Sequence, residues 1–210
     1  EGVLNFTPAF NVAGTTYTWT SSISGSITPA TVTANGISTI LDNPVNVGSL
    51  PGTVTYTFIP TAPGGCIGAS FNYVVTVNPE PVGVNDIKTV CSDEAINYNL
   101  LLNVASLGNN VGSTFSWVAT NNVNPLVTGE STFAVNGPII TDIITNLSNT
   151  DQLVAYTVTP TGTNGCAGAS FQITITVKPE PVGISATAPD ICSGSMVGYD
   201  LQNNVNTVGN

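Results

Sequence analysis

The sequence contains one of its own segments twice. Residues 54–83 read VTYTFIPTAPGGCIGASFNYVVTVNPEPVG, and residues 154–183 read VAYTVTPTGTNGCAGASFQITITVKPEPVG, aligned without a gap. The same period of about one hundred residues relates Trp19 to Trp117 and Cys91-Ser92 to Cys192-Ser193. That period is the size of a small domain, so each unit must bury a core of its own. By this period the chain is read as a first repeat over 1–81 lacking its N-terminal strand, a complete repeat over 82–181, and the N-terminal part of a third over 182–210. The last piece is too short to bury a core alone. It is expected either to be disordered in isolation or to dock on a neighbouring chain in place of the missing first strand.

The apolar pattern within each repeat has the period of a strand. Phe71, Tyr73, Val75 and Val77 alternate with Asn72, Val74, Thr76 and Asn78, and Phe171, Ile173, Ile175 and Val177 alternate with polar residues in the same way. Val154, Tyr156 and Val158 give the preceding strand, and PTGTNGCAG between them carries the Pro, Gly and Asn-Gly chemistry of a long hairpin loop. Phe115 and Trp117 mark an earlier strand, and Phe133 to Val135 and Ile139 to Ile144 add more. Helix signals are absent, because Thr, Val and Asn dominate and Gly and Pro interrupt every long window. About seven short strands per hundred residues, with a central Trp, predict an all-β fold of tandem immunoglobulin-like sandwiches. The junctions VNPEPVG and VKPEPVG are Pro-Glu-Pro connectors that lose little entropy on being fixed, so the tandem is expected to form a rod.

Charge narrows the function. The chain has two Lys+Arg, twelve Asp+Glu and no His, for a net charge of −10, and only 7% of its residues are charged. The two cations, Lys88 and Lys178, make no basic patch for phosphates or for an anionic membrane. Without His, the commonest general base and the commonest metal ligand are missing. No stretch approaches the roughly 18 to 20 apolar residues that span a bilayer.

Four cysteines in so unreactive a chain point to disulfides and an oxidising compartment. Cys66 begins a strand that carries the chain about 40 Å before the connector, so pairing with Cys91 needs a sharp return. The favoured reading pairs Cys91 in the first strand with Cys166 at the start of the last, closing a loop worth about 4 kcal/mol. Cys66 and Cys192 would then pair with cysteines outside these residues or across chains. Pairing across the connector and free thiols stay open as alternatives.

The other candidate sites each have a plainer reading. Glu80 and Asp86 near the first connector are weak calcium candidates, since carboxylates at a junction could hold the ion and stiffen it. Solvated surface charge explains them equally. Glu130 and Asp142 could be imagined as the carboxylate pair of a glycosidase, but neither is read as repeated at the aligned position of the first unit. Trp19 and Trp117 could be sugar platforms, yet their recurrence on a central strand favours core filling. No catalytic residue and no cofactor is expected.

The residues YTVTPTGTNGCAGASFQITITVKPEPVG resemble the PKD-like repeats, relatives of the polycystic kidney disease domain, that occur in tandem in very large secreted proteins of Bacteroidetes. They look especially like those of the SprB-type gliding-motility adhesins. The matching elements are Tyr-Thr-x-x-Pro at 156–160, Gly-Cys-x-Gly at 165–168, the strand ending Val177-Lys178-Pro179, and the Cys-Ser that opens the next unit; the first repeat carries all of them. The resemblance implies a β-sandwich, type 9 secretion, attachment at the outer cell surface and a role in adhesion or gliding, with no catalytic residues to carry over. The expected function is a non-catalytic spacer and adhesion segment of a large secreted surface filament. The alternative is a carbohydrate-binding or accessory module of a secreted multidomain enzyme. Expected partners are neighbouring repeats, other copies of the chain or surface polysaccharide, and neither nucleic acid nor an inserted membrane.

Overall fold

The computed structural model describes residues 6–9, 11–28, 33–35, 40–120 and 124–203. In chain order the elements begin with β1 (Thr16–Ser24), β2 (Ile27–Thr28), β3 (Thr33–Asn35), β4 (Val45–Asn46), β5 (Gly52–Thr61) and β6 (Phe71–Val77). Then come β7 (Asp86–Cys91), β8 (Tyr98–Asn99), α1 (Leu100–Ser106), β9 (Ser113–Thr120), β10 (Val127–Thr128) and β11 (Val135–Asn136). The series closes with β12 (Ile139–Ile140), β13 (Thr145–Asn146), β14 (Gln152–Gly162) and β15 (Phe171–Lys178). The chain divides into two compact units, one of Glu1–Gly83 with Val104–Ser113 and Pro160–Ala169, the other of Val84–Asn103, Thr114–Thr159 and Ser170–Asn210.

In the first unit the main sheet runs β3-β1-β5-β6, with every neighbour antiparallel. Its apolar residues sit at alternate positions, so one face of the sheet carries Tyr17 and Trp19 from β1 and Val54, Tyr56 and Phe58 from β5 into the core. Trp19 meets Tyr56 edge-on at 5.5 Å between ring centroids, the geometry that opposes the negative face of one ring to the positive edge of the other. Ile27 and Ile40 close the core from beyond the sheet, where β2 and β4 form a short ladder.

The second unit repeats this plan with one strand more. Its main sheet runs β11-β9-β14-β15-β7, and the added β7 lies parallel to β15, from Ile173↔Asp86 to Lys178↔Cys91. Phe115 and Trp117 of β9, Val154, Tyr156 and Val158 of β14, and Ile173, Ile175 and Val177 of β15 are all buried. Short ladders β10–β13 and β8–β12 stand outside the main sheet. The all-β immunoglobulin-like fold expected from the alternation and the central Trp is the fold observed.

Two local expectations are corrected. Helix α1 interrupts the all-β pattern: Asn99 caps it by accepting the Leu102 N–H, and Leu100 and Val104, one turn apart, are buried. A seven-residue helix fixed by its cap and two buried side chains needs little intrinsic propensity. The strands expected over Phe133–Val135 and Ile139–Ile144 shrink to two-residue pieces, and Phe133 is 84% exposed. Gly137-Pro138 breaks the run, because Pro138 has no N–H to give a ladder.

Two polar devices recur in both repeats. Asn46 is buried, its Nδ2 donating to the carbonyls of Leu50 and Val77 while its Oδ1 accepts the Gly48 N–H. Asn146 does the same with Thr150 and Val177 and accepts the Ser148 N–H and hydroxyl. Each amide ties the loop after β4 or β13 to the end of the last strand. In the second device the Tyr56 hydroxyl donates to Asp42 at 2.8 Å, and the Tyr156 hydroxyl donates to Asp142 at 2.8 Å. Burial first, and then the hydrogen bond to the adjacent carboxylate, pushes both phenols above their ordinary range.

Replacing Asn146 by Ala leaves the Val177 carbonyl and the Ser148 N–H buried without partners, and should lower unfolding free energy by on the order of 3 kcal/mol. Urea titration measures this; a loss below about 0.5 kcal/mol contradicts it. The tyrosines predict alkaline sensitivity. Tyr98 is pushed up to about 12 by burial and by its bond to Asp86, so folding holds its proton where the unfolded chain, titrating near 10, releases it. Stability is therefore full below pH 10 and is lost as pH rises toward about 12. The urea midpoint should fall between pH 9 and pH 11.5 and fall less in Tyr98→Phe; equal slopes would contradict the assignment.

Candidate functional site

Of the acidic residues around the first connector, Asp86, Asp93 and Glu94 are bonded within the local structure. Asp86 accepts the Tyr98 hydroxyl at 2.6 Å and the Ile87 N–H at 2.8 Å, and these bonds, the phenol's first, hold its carboxyl below the usual range. Glu94 accepts the Cys91 N–H, and Asp93 accepts the Thr145 hydroxyl. The Glu80 side chain is exposed on the connector. Among the described residues no group of three or more His, Cys, Asp or Glu comes together.

Glu130 and Asp142 do not frame a cleft. Asp142 accepts the Ser131 N–H, the Ser131 hydroxyl and the Tyr156 hydroxyl, and the Glu130 charge adds to the upward push on Tyr156. Asp142 also has a counterpart that the sequence reading passed over: Asp42, one period earlier, holds Tyr56. Trp19 and Trp117 are 4% and 2% exposed, which makes them core residues and leaves no indole face for a sugar.

The structure does not bring Cys91 and Cys166 together: neither is bonded to another cysteine of the chain. The reason lies in strand direction. The parallel pairing carries Cys91 to the Lys178 end of β15, whereas the loop bearing Cys166 leads into the Phe171 end. Those ends are about 23 Å of strand apart, against the 7 Å or less that a disulfide spans between Cα atoms.

The first connector is held by residues to which the sequence analysis gave no role. The Asn109 Oδ1 accepts the Val82 N–H at 2.9 Å, and its Nδ2 donates to the Glu80 carbonyl at 2.7 Å. The Asn164 Nδ2 donates to the Pro79 carbonyl at 2.9 Å. Gly168, the last residue of the Gly-Cys-x-Gly motif, lies so close to the Pro81 carbonyl that a Cβ there would collide with it. Pro79 and Pro81 are buried. These residues all belong to the first compact unit.

Beside the connector, in the same unit, runs a groove of about 470 Å³ along the outer edge of β6. Val45, Val75, Val77, Asn78 and Cys166 are among its lining. Its walls are apolar side chains and the backbone of an edge strand, with Glu80 as well as Cys166 on its lining.

The sequence profile of the PKD-like domain matches the chain twice, over residues 3–81 and 88–181. No curated protein matches it. PKD-like domains are in general non-catalytic modules, in keeping with acidic and aromatic residues that serve the fold in both copies. The two matches together span most of the sequence, and the chain belongs to the PKD-like domain family.

Proposed function

We propose that this chain is a stretch of repeats from a large secreted surface protein, in which the repeats act as spacer and adhesion modules, of the kind used in gliding motility. The observation that supports this best is the use of polar groups. In both repeats the buried Asn, the Tyr–Asp pair and the central Trp serve the domain itself, and the second copy keeps them unchanged. A module duplicated with its internal bonds intact suits repetition for reach. The surface of Thr, Ser and Asn with few charges suits a setting outside the cell, where salt and pH near neutral leave such groups untouched. Neighbouring repeats are the first partners in this reading, and surface polysaccharide is the adhesion ligand it would test.

One observation favours the alternative, a carbohydrate-binding module beside a secreted enzyme. Phe133 is 84% exposed and has no aromatic counterpart in the first repeat, where Thr33 stands near its aligned position. A single ring gives one stacking contact, and stable sugar binding commonly needs more area than that.

The spacer reading is tested on intact cells of the source organism. An antibody against this chain should label them without permeabilisation, and labelling that requires permeabilisation contradicts a surface location. Titration with cell-surface polysaccharide should show no saturable binding that Phe133→Ala removes; finding it would establish the binding-module reading instead. Millimolar calcium followed by chelation should leave the melting temperature unchanged, because Glu80 is exposed and Asp86 is already bonded; a calcium-dependent rise contradicts this.

A further inference from the structure

Each repeat holds an indole, a phenol and a carboxylate in contact, in the same order. Trp19 meets Tyr56 at 5.5 Å between ring centroids and 73° between ring planes, and Trp117 meets Tyr156 at 5.7 Å and 74°. Both tyrosines are 0% exposed. Their hydroxyls donate to Asp42 and Asp142, each at 2.8 Å. The two carboxylates are half-buried, so the far end of each chain of contacts touches water while the rings do not.

The two rings differ in what their polar hydrogens can do. The Nε1–H of Trp19 and that of Trp117 are buried and have no acceptor in the protein. An indole that loses an electron is a radical cation, and it is ordinarily neutralised by giving up this proton. Without an acceptor it keeps its charge and its oxidising strength. The phenol beside it has the opposite surroundings. Burial holds Tyr56 and Tyr156 protonated in the resting protein. A phenol that loses an electron becomes strongly acidic, and here a carboxylate lies within the reach that proton transfer needs.

We propose that these groups form a relay in each repeat that moves a one-electron oxidation from tryptophan to tyrosine, from Trp19 to Tyr56 and from Trp117 to Tyr156. The oxidant is a one-electron acceptor such as the carbonate radical, which leaves as carbonate. It takes an electron from the indole. The indole, still holding its N–H, takes an electron from the phenol; the phenol O–H breaks and its proton passes to Asp42 or Asp142. The products are neutral tryptophan, a neutral phenoxyl radical and a carboxylic acid, so charge, protons and electrons balance. Indole radicals capture dioxygen and lose their ring, whereas phenoxyl radicals react with it slowly. The relay therefore spares the tryptophan around which each core is packed, and it holds whether or not the repeats act as spacers.

Flash photoionisation of the full chain, with a scavenger taking up the ejected electron, generates the indole radical in place. Its absorption should give way to that of the phenoxyl radical in a first-order step, independent of protein concentration. The step should slow in heavy water, because an O–H bond breaks in it. Asp42→Asn together with Asp142→Asn keeps a hydrogen-bond acceptor but removes the base, and should slow the step by at least about tenfold. Tyr56→Phe together with Tyr156→Phe should abolish it. Under carbonate radical in air, peptide mapping should find more oxygen added at Trp19 and Trp117 in the Asn variant than in the unsubstituted chain. An indole radical that decays equally fast in both variants, a rate unchanged in heavy water, a transfer that scales with protein concentration, or equal oxygen addition would each overturn the proposal. The heavy-water comparison needs no variant, so it decides the matter even where a substitution prevents folding.

Discussion

The parallel ladder between β7 and β15 is the interaction on which the burial of the second unit depends. A strand hydrogen-bonded on both sides cannot twist away from its core, and a neighbour along its edge keeps water off the side chains that point inward. Ile173, Ile175 and Val177 are fully covered under that neighbour, while their counterparts Tyr73, Val75 and Val77 are half-exposed beside an open edge. Fully burying a side chain of this size is worth about 1.5–3 kcal/mol relative to leaving it exposed. Coverage of the strand edge by β7 therefore accounts for a substantial part of the apolar burial of the second unit.

Around that ladder, polar groups settle the rest. Asn46 and Asn146 hold the end of the last strand by its carbonyl, and the Tyr–Asp pair secures the central strand at the other layer. Buried amides and phenols of this sort contribute little net energy when satisfied but cost much when stripped of a partner, so they define register more than they add stability. Their recurrence in both copies explains why two units with different surroundings keep the same strand order. The connector is fixed in a similar manner, by the amides of Asn109 and Asn164 and by the missing Cβ of Gly168. It is held by specific bonds as well as by the stiffness of its prolines.

Much of this was legible in the sequence, and the limits were physical. The hundred-residue period, the two-residue alternation of Phe171 to Val177 and the central Trp117 report burial directly, and they led to the immunoglobulin-like fold. Strand direction was not legible: whether β7 runs with or against β15 leaves the alternation unchanged, yet it decides which end of β15 Cys91 reaches. Asn103, Asn109 and Asn146 were invisible in a chain rich in asparagine, because only the fold distinguishes an amide that bonds a buried carbonyl from one in water. Asp42 and Asp142 offered a signal, because they stand one period apart, each fourteen residues before its tyrosine. Helix α1 rests on a cap and two buried side chains, which composition alone does not report.

Amide hydrogen exchange, read strand by strand, tests the central claim most directly. If edge coverage governs burial, the amides of β15 should exchange only with global unfolding, while those of β6 facing the open groove should exchange orders of magnitude faster in the dilute chain. Equal protection of β6 and β15 in the dilute chain would show that the last strand needs no neighbour, and would contradict the account.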